Sequence, residues 1–410
     1  MPSSSPVQRI TDYANRADPY PVYAGLRHTP VVRDEETGIF LVTTYWAVRE
    51  LLHDPRISSD ARNLAPGANP LLASDTEEST LPPSFIRLDP PDHDRLRRLA
   101  MRPFGPPHSP RRIHDMRGEL SRIVTGLVDG LAGRGEFDVV DDFAYPFPVT
   151  VICRLLGVPK EDEPRFRGLV DAVVAGLSPA EDAAEQRRSV RRSRLELGQY
   201  LAGLIEEHQR HPGDDMLSQL ATDEGPEGRL SLVELISTAV LLLIAGHETT
   251  VNLITNGMLT LLRHPEELRR LREDPGTAPG LVEELLRYEP PVHVLPQRTT
   301  LAEIELAGTV IPKGAAVWLL LASANRDAER FADPDRFDPA RPDNQHLGFG
   351  FGVHACFGAP LARLEAQTAL SELVRRLENP RLAEDPPPYR PSPVLRGPRH
   401  LRVAFDGLAG

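Results

Sequence analysis

Apolar residues return at close to helical spacing through residues 93–104, 116–135, 149–159, 165–177, 186–210 and 231–265, and each stretch predicts a helix. The last is the longest and most apolar, interrupted near its middle by AGHETT (245–250). Residues 30–43, PVVRDEETGIFLVT, alternate instead and turn at Glu36-Thr-Gly38, which predicts a hairpin; TYWAVRELLHDP behind it predicts a short helix stopped by Pro55. Strand-like text returns at 298–322 and 394–405. Between these elements, residues 57–86 mix Pro, Gly, Ser, Asn and Leu with little period, and an irregular stretch of that length tends to be functional. The expected fold is mainly α with small peripheral β-sheets. No stretch reads as a linker, so residues 1–410 are expected to form a single domain.

Composition narrows the class. The longest uninterrupted apolar run, AVLLLIA (239–245), falls far short of the roughly 18 to 20 residues of a membrane span. The start, MPSSSPVQRITDYANRADPYP, resembles neither a signal peptide nor an anchor, so a soluble cytoplasmic protein without a membrane anchor is expected. A formal net charge of −12 argues against broad nucleic-acid binding. Lysine occurs only at Lys160 and Lys313, the rest of the 47 basic residues being arginine, a bias that points to a GC-rich bacterial genome rather than to chemistry. Of the two cysteines, Cys153 sits in the apolar run FPVTVICRLLGVP and reads as a small buried hydrophobe. Cys356 is the one to explain.

It stands in GFGFGVHACFG (348–358), directly before the helical text APLARLEAQTAL. Gly350-x-Gly352-x-x-Ala355 scans as a dinucleotide fingerprint, but that reading needs a closing βαβ unit, and the following helix runs instead into ENPRLAEDPPPYRP. A metal reading has more support. One cysteine with no Cys or His partner at zinc spacing cannot build a tetrahedral site, whereas haem brings its own equatorial nitrogens and leaves an axial position for one thiolate. The N-terminus of the following helix favours a thiolate there.

Residues 349–358 match every fixed position of FGxGxHxCxG, and on that string the chain resembles the cytochrome P450 superfamily. The resemblance implies haem b (iron protoporphyrin IX), Cys356 as the axial iron ligand, and Phe349, Gly350, His354 and Gly358 as cofactor-binding, with glycines that let a porphyrin lie against backbone. Ala245-Gly246-His247-Glu248-Thr249 resembles the family's distal segment on a long helix around 233–262. There the resemblance implies room over the haem at Ala245 and Gly246, and proton delivery by the catalytic pair Thr249 and Glu248. Without it, the two polar residues also read as an ordinary break on a buried helix. A mid-helix threonine can also bond back to a carbonyl and bend the helix. Glu284-Leu-Leu-Arg287 resembles the family's ExxR ion pair, with Arg336 as its third member.

In HDRLRRLAMR, His93 and Arg97 lie four apart and share a face, while Arg95, Arg98 and Arg102 form a separate stripe. The first pair, together with Arg298, resembles the family's propionate-binding set. The stripe reads either as a solvated face or as a docking patch for an acidic redox partner. Too few cysteines remain for an iron–sulfur cluster, so electrons are expected from a ferredoxin and a ferredoxin reductase fed by NAD(P)H. The resemblance as a whole implies a haem-thiolate monooxygenase that uses O2 to hydroxylate or epoxidise a hydrophobic small molecule. Oxidative coupling or oxygen-independent isomerisation in secondary metabolism is the alternative. The resemblance also implies substrate contacts from residues 61–86, from Leu242, Ala245 and Gly246, and from Val292, His293, Val294 and Leu295, with His247 and His293 as polar handles or as structural residues.

Overall fold

The most apolar stretch of the sequence becomes the helix on which the others pack. Leu232–Arg263 starts at a capping box, in which Ser231 Oγ accepts the Glu234 N–H and the Glu234 carboxylate accepts the Ser231 N–H, and it ends where Pro265 opens the next helix. The computed structural model describes residues 5–68, 83–104, 111–175, 183–224 and 228–410. Within it the helices Pro146–Leu155, Ala183–Arg210, Ala278–Tyr288 and Ala359–Arg376 lie against this central helix. The 32-residue helix is long and apolar enough to cross a membrane, although no single apolar run is. Its residues from Val251 to Leu261 are all buried, so its apolarity serves the core.

Close approach among three helices sets the frame for the site. A Cβ at Gly257 of the central helix would lie 2.9 Å from Leu370 Cδ1 of Ala359–Arg376 and 3.0 Å from Leu285 Cδ1 of Ala278–Tyr288. Glycine is therefore required where the helix behind the cysteine and the ExxR helix both meet the central one. Each fully buried leucine at this junction contributes about 1.5–3 kcal/mol of burial.

The sheets are small and peripheral, as expected. Among the described residues a five-stranded sheet runs Val31–Arg33, Phe40–Val42, Ala316–Leu319, Leu295–Thr300, Ile57–Ser58. The predicted hairpin is its first pair, antiparallel with Val32 opposite Leu41, and Asp34 closes the turn by accepting the N–H groups of Glu36 and Thr37. The second and third strands pair in parallel, Leu41 opposite Trp318. The start of the irregular stretch forms the far edge, Ile57 opposite Thr300 and Ser58 opposite Thr299. Residues 69–82, the middle of the expected substrate loop, lie outside the described residues.

Candidate functional site

The cysteine loop is held by its backbone. The Cys356 N–H donates to the Phe349 carbonyl at 2.8 Å, and Gly350 and Gly352 take φ of 67° and 69°, a region open to glycine. A Cβ at Gly348 would lie 2.5 Å from the Leu286 carbonyl oxygen, and one at Gly352 would collide with the Leu52 carbonyl of the helix Tyr45–His53. These two glycines make room for neighbouring protein backbone, which corrects the expectation that all the loop's glycines make room for a porphyrin. Gly358 differs: nothing lies within 4 Å of a Cβ built there.

Cys356 is solvent-accessible although it sits within the fold. Burial pushes its thiol up; the N–H groups of Gly358 and Ala359 and the charges of Arg97 and Arg363 pull it back toward the thiolate. Accessible and enclosed at once describes a side chain on the wall of an internal cleft. Phe349 lies under the Arg363 guanidinium, 4.7 Å from ring centroid to Cζ, and Arg363 is clamped by Glu283 at 2.6 and 2.9 Å. Phe357 is packed against Phe104, 4.6 Å between centroids.

A cationic group surrounds the same loop. His93 is buried and its ring lies 4.3 Å from that of His354. Its Nδ1 is 2.8 Å from Asp94, while Nε2 is buried with no hydrogen-bond partner among the described residues. Arg97, one turn on, donates to the Ala355 carbonyl at 2.6 Å. Burial lowers Arg298 to about 10, partly offset by Asp89. Burial and then the charges of Arg298, His93 and Arg97 lower His354 to about 3. An orphaned buried ring nitrogen, two guanidiniums and a neutralised imidazole beside an accessible cysteine fit a flat group that carries carboxylates and takes one thiolate ligand. Haem is such a group.

On the central helix, Thr249 Oγ1 donates to the Ala245 carbonyl at 2.7 Å, the back-bond expected of a mid-helix threonine. The helix stays continuous through this turn. Ala245 is accessible in the middle of a buried helix, so a face of this turn also borders open space. Glu248 points elsewhere. It is buried, 3.1 Å from Arg390 Nε and 3.5 Å from Asn252 Nδ2. Burial raises its pKa, and Arg390 opposes the rise.

The cytochrome P450 sequence profile matches residues 28–405, almost the whole chain. The chain belongs to the cytochrome P450 family. It is 42% identical over 400 residues to cytochrome P450 monooxygenase PikC of Streptomyces venezuelae, covering 95% of this chain and 91% of that one. It is 40% identical over 400 residues to the vitamin D(3) 25-hydroxylase of Pseudonocardia autotrophica, covering 95% and 94%. The fold superimposes on the solved structure of cytochrome P450 CYP109Q5 from Chondromyces apiculatus with a TM-score of 0.88 at 35% identity, covering 98% of each chain. The protein is thus a cytochrome P450 monooxygenase of mainly helical fold.

In this P450 the ExxR pair is fully buried and bidentate, with Arg287 Nε and Nη2 donating to Glu284 at 2.8 and 2.7 Å. The third side chain is Arg341 rather than Arg336. Arg341 lies 3.3 Å from Glu284, while Arg336 is exposed and contributes only its carbonyl, which accepts from Arg287 at 3.0 Å. The arginine stripe is also corrected in part. Arg95 is paired with Glu234, and Arg102 with Asp223 at 3.0 Å, so these two charges are engaged within the fold.

Several expected pocket residues turn out to be packing residues. Gly246 faces the helix Pro146–Leu155, where a Cβ would sit 3.6 Å from Ile152 Cδ1. His247 is buried with its ring perpendicular to Tyr145 at 4.5 Å. His293 is buried between Tyr20 and Tyr23, with Nδ1 3.1 Å from the Tyr23 hydroxyl. Val294 is buried in the cluster formed with the N-terminal helices, and Leu242 in the main core. Val292 and Leu295 are partly buried against the core beside the five-stranded sheet, and of the set Ala245 alone is exposed.

Arg390, Asn252, Arg341 and Asn344 carry no motif. Asn344 donates to Glu284 at 3.0 Å. Asn252 had one local signal, its position one turn beyond Glu248 on the same face. The others come from irregular segments far away in sequence.

Proposed function

We propose that this P450 is a bacterial cytoplasmic monooxygenase that binds haem b at Cys356, receives electrons from a ferredoxin and its reductase, and uses O2 to hydroxylate or epoxidise a hydrophobic small molecule. The observation that carries the reading is the Thr249 hydroxyl at 2.7 Å from the carbonyl of the exposed Ala245 on the central helix, with Glu248 as its neighbour. When bound, haem supplies the redox and oxygen-activating chemistry. Cys356 would ligate it, Arg97 and Arg298 would match its carboxylates in charge, and His93 and His354 would do so in hydrogen-bonding capacity. Thr249 holds a hydroxyl where protons are needed, and Glu248 holds an exchangeable proton one residue away. Separate protein donors are supported by the cysteine count. Cys153 is buried and its thiol is pushed up to about 12, so it is inert toward cluster or disulfide chemistry.

Thr249→Ala tests the assignment. With ferredoxin, reductase and NAD(P)H, product is expected to fall about a hundredfold, the range of one general acid–base group, while NAD(P)H is still consumed and hydrogen peroxide accumulates. Product and coupling equal to the wild type would remove Thr249 from proton delivery. Turnover by peroxide alone at the full rate would favour a peroxide-driven enzyme instead.

The substrate class follows from a relative named for hydroxylating vitamin D(3). A panel of steroid, terpenoid and macrocyclic compounds is expected to contain ligands that shift the haem spin state. A panel in which only small polar compounds do so would overturn this class.

A further inference from the structure

Two glutamates stand side by side in the helix Ala278–Tyr288, where successive side chains leave the axis about 100 degrees apart. Glu284 turns inward to Arg287. Glu283, its side chain 30% exposed, turns instead to the helix behind the cysteine, where Arg363 Nε and Nη2 donate to its two oxygens at 2.6 and 2.9 Å. A third group holds the same carboxylate. The His346 side chain is 3% exposed and its Nδ1 accepts the Gly348 N–H at 3.0 Å, so the proton of the neutral ring sits on Nε2 and is donated to Glu283 at 3.1 Å. Burial pushes Glu283 up, but the hydrogen bonds from His346 and Arg363 more than offset it and hold the carboxyl at about 2. It is an anion at any working pH.

Arg363 therefore serves two anions. It lies one turn beyond Ala359, whose N–H favours the Cys356 thiolate together with that of Gly358, and its own charge favours the thiolate as well. Glu283 receives its hydrogen bonds, while the sulfur feels its charge alone. A cation near a sulfur ligand draws electron density away from it, and a carboxylate forked onto that cation cancels much of the pull. The Glu283–Arg363 fork is about one-third exposed, so it contributes little to stability. Its position relative to the sulfur is what distinguishes it from other surface pairs.

We propose that Glu283 is a positioning residue for the cysteine ligand: held by His346, it keeps Arg363 forked against the ExxR helix and so sets how much of the guanidinium charge reaches the Cys356 sulfur. This rests on the reading of Cys356 as the axial ligand. The electron donation of the sulfur, and with it the reduction potential of the holoenzyme, then depends on a carboxylate that touches neither. His346 adds the coupling to the loop, because the ring that donates to Glu283 also accepts from Gly348 at the loop's first residue.

The test is a redox titration of the holoenzyme, read from its absorption spectrum. In E283Q the cation stands uncompensated, and the equilibrium is expected to favour the reduced form at least about threefold more than in the wild type, because a cation stabilises the added electron. R363Q leaves the carboxylate alone, so its shift is expected in the opposite direction by a comparable factor. The double variant E283Q/R363Q removes both charges and is expected within about twofold of the wild type, the sign of two opposed and coupled terms. A mere loosening of the loop would move E283Q and R363Q the same way; that result, or wild-type potentials in both, would overturn the proposal. If E283Q yields no holoenzyme, R363Q against R363K carries the test, since lysine keeps the charge without the fork. R363K is expected to stay closer to the wild type than R363Q, and equal shifts in the two would overturn the proposal. The thiolate-type Soret band of the reduced carbon monoxide complex separates two failures. Its absence from the wild type would remove Cys356 as ligand and the proposal with it, whereas its presence with unmoved potentials would remove the role of Glu283 alone.

Discussion

Cys356→Ser is expected to abolish the thiolate-type Soret band of the reduced carbon monoxide complex and to reduce monooxygenation to background. The reason lies in what surrounds the sulfur. Two backbone N–H groups, from Gly358 and Ala359, and the charges of Arg97 and Arg363 favour an anion at this position. A thiol is far more acidic than an alkyl hydroxyl, so serine presents the same site with a neutral, weaker ligand. The loop itself should survive the change. Its shape depends on the Cys356 N–H bond to Phe349 and on glycines at Gly348, Gly350 and Gly352, none of which the substitution touches. Thermal unfolding near that of the wild type, with the band lost, is therefore the expected pair of results. Persistence of the band would remove Cys356 from the ligand role.

Arg287→Ala is expected to be the most destabilising single change, leaving little soluble protein at 37 °C. Both members of the pair are fully buried, and the guanidinium also donates to the carbonyls of Asn325 at 3.0 Å, Pro334 at 2.7 Å and Arg336 at 3.0 Å. Removing one partner of a buried ion pair costs about 3–5 kcal/mol. Each carbonyl left unsatisfied adds about 1–3 kcal/mol. Against a total stability of roughly 5–15 kcal/mol, that sum takes most or all of the margin. The damage would reach the cysteine loop, because Asn325 accepts the Leu347 N–H at 2.7 Å on its side-chain oxygen. Arg336→Ala is the contrast. That side chain is exposed and only its carbonyl is used, so its removal should change stability by no more than about 0.5 kcal/mol. Arg341→Ala should cost clearly more. Equal effects of the two, measured by thermal or denaturant unfolding of soluble protein, would contradict the assignment of Arg341 as the third member.

The parts of the site that were legible in the sequence are those whose chemistry is local. Glycine density around one cysteine, a helix directly after it, and a threonine and glutamate breaking an apolar helix are each set by a few neighbouring residues. The hairpin at 30–43 and the helix around 233–262 were legible for the same reason, because period alone specifies which face is buried. The misreadings share an opposite cause. Gly246, His247, His293 and Val294 belong to segments that resemble the family's substrate-contacting ones, and a resemblance of segments does not say which of their residues face a cavity. On a helix each successive residue turns about 100 degrees and on a strand successive residues alternate, so adjacency does not fix direction. What packs on each face decided the matter: Ile152 on Gly246, Tyr145 on His247, Tyr20 and Tyr23 on His293.

By itself, then, the amino-acid sequence determined the mainly helical class, the glycine-rich loop that carries Cys356, the ExxR helix and the threonine of the central helix. Only the tertiary structure decided which arginine completes the ExxR cluster, which loop glycines make room for protein backbone, and which cation faces Glu248. Arg341 and Arg390 are 57 and 142 positions from the carboxylates they reach, within irregular segments that carry no period. Charge pairs over such distances are set by how the segments are laid against the core, and no local pattern of residues encodes that.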